Sequence, residues 1–293
     1  MVAHRLGERL HPVDFEMNTR EVAKPLFGSR GGSHPLGCFT DQQETYGPAV
    51  VADLIARLSA LELVVDLGAG SGRDLSIVRR LHPRARLIAV EGGHEYASAL
   101  AGKADEIYVR NIERDKLPLA EREADLIIAN QVLEHTKEIF WIFHEVTRCL
   151  KIGGYFLFGV PNICSLHNRL LLAIGRHPTQ HKVCSAHVRP FSKKDTLAFL
   201  NACFPGGYEL THFRGAQFYP FPRGMARILA RAFPTFAFTI FFLIRKKKEY
   251  TDEFATYPAR AQLETNFWTG NVLTVSQYWE VPRDRDEDTA VSC

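Results

Sequence analysis

Val64-Val65-Asp66-Leu67-Gly68-Ala69-Gly70-Ser71-Gly72-Arg73 is the stretch that decides the fold. An apolar run that begins at Leu61 ends in three glycines at alternate positions, and a helical segment follows. This is a strand feeding a tight turn and then a helix. Glycine makes such a turn without steric cost and lets backbone N–H groups approach a ligand, and the helix N-terminus adds partial positive charge.

Two ligand chemistries compete for this loop. A dinucleotide site wants G-x-G-x-x-G, and Arg73 stands where its third glycine would be. Asp66, at the strand end, would repel a pyrophosphate. A ligand with ammonium and sulfonium groups and no phosphate fits better. Glu91 closes the next apolar run, 19 residues after Gly72. A carboxylate there accepts hydrogen bonds from two ribose hydroxyls, which serves either ligand.

The alternation extends outward on both sides. Pro48 opens a segment in which Val51, Leu54, Ile55 and Leu58 share a helical face. Arg86–Glu91, Glu106–Val109, 124–129 and 155–160 read as further strands. Ile139, Ile142, Phe143, Val146 and Leu150 fall at helical spacing, with Gly153-Gly154 as the expected stop. Near-continuous apolar strands alternating with helices imply a parallel sheet covered on both faces. After Pro161 the pattern breaks. Residues 162–191 carry His167, His177, His181 and His187 without a period and read as a loop or insertion. Ser192 to Asp195 resembles a capping box opening a helix with Leu197 and Leu200. Residues 208–218 and 236–245 read as two last strands, with a short helix near 224–232 between them.

Composition narrows the function classes. The 293 residues hold 36 Lys+Arg against 33 Asp+Glu, a net +3, with 46% hydrophobic and 24% charged residues. That excludes a disordered, collagen-like or coiled-coil chain and is too mild a charge to argue for nucleic acid. The first residues lack the apolar core of a secretory signal. No run reaches the ~18 apolar residues of a membrane span. The longest, 233–244, would cover only about 18 Å as a helix, and its aromatic and β-branched content predicts a buried strand. Its alternative is a membrane-surface role in which Arg227, Arg231 and the run Arg245 to Lys248 meet anionic lipid. Six singly scattered cysteines read as reduced thiols of a cytoplasmic protein.

DLGAGSG, AVE, RNIERDKLPL, ADLIIANQVLEHT and LKIGGYFLFGVPN occur in this order. The set resembles the ordered motifs of the class I S-adenosylmethionine-dependent methyltransferases, in a small-molecule, quinone-biosynthesis-like branch. The resemblance implies an α/β, Rossmann-like, seven-stranded, mostly parallel sheet with helices on both faces and an antiparallel last strand. It implies S-adenosyl-L-methionine as cofactor. Asp66 and Gly68 would lie at the methionine moiety and Glu91 at the ribose, with Gly70 and Gly72 also among the cofactor-binding residues. Asn111 and Ile112 would lie at the adenine, and Asn130 and Gln131 under the sulfonium end. The organisation expected is an extension or lid at 1–40 and the methyltransferase domain at 41–248, with an acceptor-side insertion around 162–191. A C-terminal extension at 249–293, with a mobile end, completes it.

Methyl transfer is an in-line displacement in which positioning supplies most of the catalysis. A base is needed only where the nucleophile must lose a proton. Glu134-His135 follows the fourth strand at the sheet edge where such folds bind ligands, so His135 is the candidate base with Glu134 beside it. His167, His187, Arg189 and Tyr46 are candidate acceptor contacts. Similar enzymes of quinone biosynthesis carry a Glu-x-x-Glu-His metal site here. Gln131 replaces the first Glu, so no metal is expected. His177, His181, Cys184 and His187 match no zinc-finger spacing.

The reading is a methyltransferase acting on a small-molecule hydroxyl, amine or carbon nucleophile. One alternative keeps the fold and uses the cofactor for aminocarboxypropyl transfer or for its own cyclisation. The other is a peripheral membrane or binding module. Neither a nucleic-acid partner nor a transmembrane segment is expected, and the oligomeric state stays open.

Overall fold

The computed structural model describes residues 46–263. The expected lid at 1–40 and the end of the chain lie outside the described residues. Seven strands form one sheet: β1 (Leu63–Leu67), β2 (Arg86–Glu91), β3 (Glu106–Val109), β4 (Ala124–Asn130), β5 (Leu150–Pro161), β6 (Tyr208–Ala216) and β7 (Thr239–Lys246). Their spatial order is β3-β2-β1-β4-β5-β7-β6. β1 to β5 pair in parallel, and β7 runs antiparallel between β5 and β6.

The strands are apolar at successive positions because both faces are covered. Val65, Leu67, Ile88 and Val90 point into one core, and Val64, Leu87 and Ala89 into the other. Helices α1 (Pro48–Ile55), α2 (Arg73–Leu81) and α3 (Ala97–Leu100) cover the second core. Helices α4 (Ile139–Cys149) and α6 (Lys193–Cys203) pack on the first. The run expected as a buried strand is β7: Ile240, Phe242 and Ile244 enter one core, Phe241 and Leu243 the other. Truncating the fully buried Phe242 to Ala would cost about 3–5 kcal/mol. Ser192 caps α6 by accepting from the Asp195 N–H, as the capping pattern predicts.

Three segments differ from the sequence reading. α4 stops at Cys149, and β5 begins at Leu150, ahead of Gly153-Gly154. A register shift between Ala124 and Leu126 absorbs the extra residues around those glycines. The 162–191 insertion contains a helix, α5 (Leu166–Ala173), capped by Ser165. Its ends are pinned together by a bridge between Asn162 and Phe191. Past β7, where an extension was expected, α8 (Glu253–Arg260) buries Phe254 completely in the first core. The remaining helix, α7 (Arg223–Ala232), joins β6 to β7.

Candidate active site

β1 leads to α2 on one face, and its neighbours are β2 on one side and β4 on the other. The carboxyl edge beside β1 is therefore the place where open α/β sheets bind ligands. Gly68, Gly70 and Gly72 all have left-handed φ, at +66°, +53° and +70°. At Gly68 a Cβ would lie 2.6 Å from Val132 Cγ2, so crowding and conformation both demand glycine. At Gly70 a Cβ would meet nothing closer than 3.9 Å. There the conformation alone requires glycine, and the space above the loop is left for a ligand. Glu91 ties the two edges together by accepting from the backbone N–H groups of Gly70 and Gly92.

The edge is acidic. Asp66 is buried; its burial and the neighbouring Asp74 raise its pKa well above the usual carboxylate range, Glu91 adds to this, and Arg73 opposes it. Asp74 accepts from Arg73 at 2.9 Å and from Asn130 Nδ2 at 2.8 Å. Asn130 Nδ2 also donates to the Tyr46 carbonyl at 3.0 Å, and the Arg73 guanidinium stacks 4.6 Å from the Tyr46 ring centroid. Asn130 Oδ1 and Gln131 Nε2 are buried without a hydrogen-bond partner among the described residues.

A second cluster assembles just past β4. A 3₁₀ turn, Leu133–His135, carries Glu134 and His135. The Glu134 carboxyl is 1% exposed, and neither of its oxygens has a hydrogen-bond partner among the described residues. Burial pushes its pKa up to about 8. The Glu134 carbonyl accepts from the N–H groups of Val188, at 2.9 Å, and Arg189, at 3.2 Å, which fastens the end of the insertion to this turn. His187 thereby comes edge-on to His135, ring centroids 4.7 Å apart, with His181 6.0 Å beyond it. Burial, then the neighbouring His135 and His181, lower the His187 pKa to about 4.

Residues 65–158 match a family described as a methyltransferase domain. That segment is thus similar to a methyltransferase domain. The chain is similar to the dimethylglycine N-methyltransferase of Parasynechococcus marenigrum, 33% identical over 33% of this chain and 37% of the relative. It is also similar to a malonyl-[acyl-carrier protein] O-methyltransferase of a Marinomonas species, 26% identical over 40% of this chain and 46% of the relative. The chain thus matches less than half the length of these curated relatives. The fold is shared with a chain in the solved complex of the Haloferax volcanii Trm112 methyltransferase activator and a methyltransferase. Its TM-score is 0.51 at 17% identity, covering 72% of this chain and 92% of that one.

The methyltransferase edge suits the family's cofactor. Asp66, surrounded by other carboxylates, would gain from an ammonium or sulfonium cation and would oppose a phosphate. The open space over Gly70 and the Glu91 carboxylate beside it suit a nucleoside. Asp66, Glu91 and Asn130 stand at the carboxyl ends of β1, β2 and β4, and Gly68, Gly70, Gly72 and Gln131 in the turns that follow β1 and β4. Asn111 is exposed, and its Oδ1 accepts from the Glu113 N–H within its own turn. Ile112 packs against the first core. Of the candidate acceptor contacts, His187 joins Glu134 and His135. Tyr46 sits at the Asn130 edge. His167 instead pairs with Thr179 Oγ1 at 2.7 Å and lies edge-on to Tyr219. Arg189 donates to the Lys137 carbonyl at 2.6 Å and so braces the insertion. Sequence reasoning missed Asp74 and Arg73 as parts of this edge. Their signal was their position in the first turn after the glycines. It considered His187 without its partners.

Proposed function

We propose that this protein transfers a methyl group from S-adenosyl-L-methionine to a small-molecule nucleophile. The observation that carries the reading is the acidic, glycine-built edge around Asp66, Gly70 and Glu91, which favours a cationic nucleoside over a dinucleotide. The family description and both curated relatives named above are methyltransferases, which favours methyl transfer over aminocarboxypropyl transfer or cyclisation. The cofactor supplies an electrophilic methyl on a good leaving group. The chain's part is to bind and orient. Asp66 and the loop amides hold the amino-acid end, Glu91 accepts from the ribose hydroxyls, and Ile112 with Asn111 borders the adenine. Asn130 and Gln131, with their unpartnered buried polar atoms, border the reacting end. Where the nucleophile is a hydroxyl, the group that takes or weakens its proton belongs to the Glu134–His135 cluster. Calorimetry with S-adenosyl-L-methionine and with NAD tests the reading: binding of the first is expected, and tighter binding of the second would overturn it. S-adenosylhomocysteine as product marks methyl transfer, and methylthioadenosine marks the other two uses.

A second reading concerns where the acceptor resides. No helix among the described residues is long and apolar enough to cross a membrane. Yet α5 exposes Leu170 and Leu172, Ile174 follows it at 68% exposure, and α7 exposes Met225 and Ile228 at 71%. The two helices meet where Leu166 packs against the cluster of Ala226 and Ala230. Residues 162–248 hold fourteen Lys and Arg against two Asp and Glu. An apolar face in a cationic lobe fits the surface of an anionic membrane, so the acceptor would be lipid-borne or drawn from that surface. Co-sedimentation with phosphatidylglycerol vesicles but not phosphatidylcholine vesicles is expected, weakened by salt and by Ile228→Asp. Equal binding to both vesicles would overturn it. The free Cys149, Cys164, Cys184 and Cys203 fit a reducing compartment such as the cytoplasm.

A further inference from the structure

The Glu134 cluster has the composition of a metal site. One oxygen of Glu134, one ring nitrogen of His135 and one of His187 all lie within 4.8 Å of one another. Glu134 Oε1 and His135 Nε2 are 3.9 Å apart. Ligands bound at about 2.1 Å on a tetrahedral ion stand about 3.4 Å from each other, so small side-chain rotations close the set. Three further observations point to a ligand there. Both Glu134 oxygens are buried and unpartnered among the described residues, and leaving a buried carboxylate so is costly unless something compensates. His187 Nδ1 is also buried and, among the described residues, unpartnered. His135 Nδ1 lies 3.3 Å from the Ala186 carbonyl. That contact is the one metal-bound imidazoles usually make with their other nitrogen, and it leaves Nε2 free to coordinate.

We infer that Glu134, His135 and His187 bind one divalent transition-metal ion. Two imidazoles and one carboxylate suit zinc, iron, cobalt or manganese, whereas magnesium and calcium prefer oxygen ligands throughout. The sequence reading expected no metal because Gln131 lacks a carboxylate. The insertion supplies the third ligand instead, through the backbone bonds from Val188 and Arg189 to the Glu134 carbonyl. Three protein ligands would leave a fourth position open, and the half-exposed His135 side chain puts the cluster within reach of solvent. An acceptor oxygen bound there would lose its proton more readily, and His135 would then act as a ligand and not as a free base. Metal binding itself does not depend on the methyl-transfer reading.

The test uses the full chain, stripped with chelator and titrated with Zn²⁺ by calorimetry and with Co²⁺ by visible absorption. One equivalent is expected to bind. Glu134→Gln and His187→Ala should each weaken binding at least tenfold, while His177→Ala and Cys184→Ser leave it unchanged. Circular dichroism confirms that each variant is folded, and His187→Gln replaces His187→Ala if the latter is not. Absence of stoichiometric binding to the wild type overturns the inference. So does unchanged affinity in folded Glu134→Gln and His187 variants, or loss of binding in Cys184→Ser. A chain that takes up Co²⁺ but not S-adenosyl-L-methionine would break the methyl-transfer reading and leave the metal site standing.

Discussion

The edge proposed for the cofactor and the side proposed for the acceptor are built in different ways. At the first, most of the work falls to backbone, three left-handed glycines and their amides, with carboxylates whose places are set by strand ends. At the second, they are side chains drawn from a turn after β4 and from the far end of an insertion. A backbone site is written into a contiguous stretch of sequence and tolerates little change. A side-chain site depends on how distant segments fold together, so it varies while the sheet stays the same. The difference explains why the two halves of one reaction can be inferred to such different depths.

The largest expected effect lies on the backbone side. Gly70→Val should abolish measurable S-adenosyl-L-methionine binding by calorimetry, because the branched side chain fills the space over the loop and resists φ +53°. Retained binding would mean that the ligand does not cross this loop, and the comparison would collapse. On the acceptor side, His135→Ala should lower turnover about 10²-fold while the dissociation constant for the cofactor stays within error. If turnover is intact, the cluster is structural. If cofactor binding falls in parallel, the two regions are not separable.

Glu91→Ala should weaken cofactor binding by about 1–3 kcal/mol through lost charge-assisted hydrogen bonds. An unchanged isotherm would remove Glu91 from the site and leave it only as the brace between Gly70 and Gly92. The smallest effect concerns Asp66. Its folded pKa is raised, so the folded chain keeps a proton that the unfolded chain releases. That contribution to stability is full below the unfolded carboxylate pKa and is lost as pH rises through the folded value. In ligand-free protein, Asp66→Asn should therefore melt higher than the wild type at alkaline pH, and the gap should close toward acidic pH. The same variant should bind the cofactor more weakly. A gap that does not change with pH would show that Asp66 is not held protonated by its surroundings.

Legibility in the sequence followed the same division. β1, β2 and β7 were readable because strands buried on both faces are apolar at successive positions, and the glycines mark where β1 ends. Asn130 and Gln131 were named through the family resemblance, and the fold sets them at and just past the end of β4, beside β1. α5 was not, because Leu170, Leu172 and Ile174 face outward and give no inward stripe. α8 was hidden by polar composition, by Pro258 within it, and by its dependence on one buried anchor, Phe254. The approach of His187 to Glu134 leaves no local pattern, since it arises from backbone bonds made by neighbouring residues.

The bridge that joins Asn162 to Phe191 has a consequence for how such a protein diversifies. Everything between those residues leaves the sheet and returns to it at one point, as a handle does on a cup. Lengthening a closed handle is inexpensive, since each doubling of a loop adds only about 0.6 kcal/mol of closure entropy. Residues 163–190 are thus a cassette. Exchanging it for the corresponding segment of a relative should transplant acceptor preference, while the strands, the glycine loop and the cofactor affinity carry on unaltered.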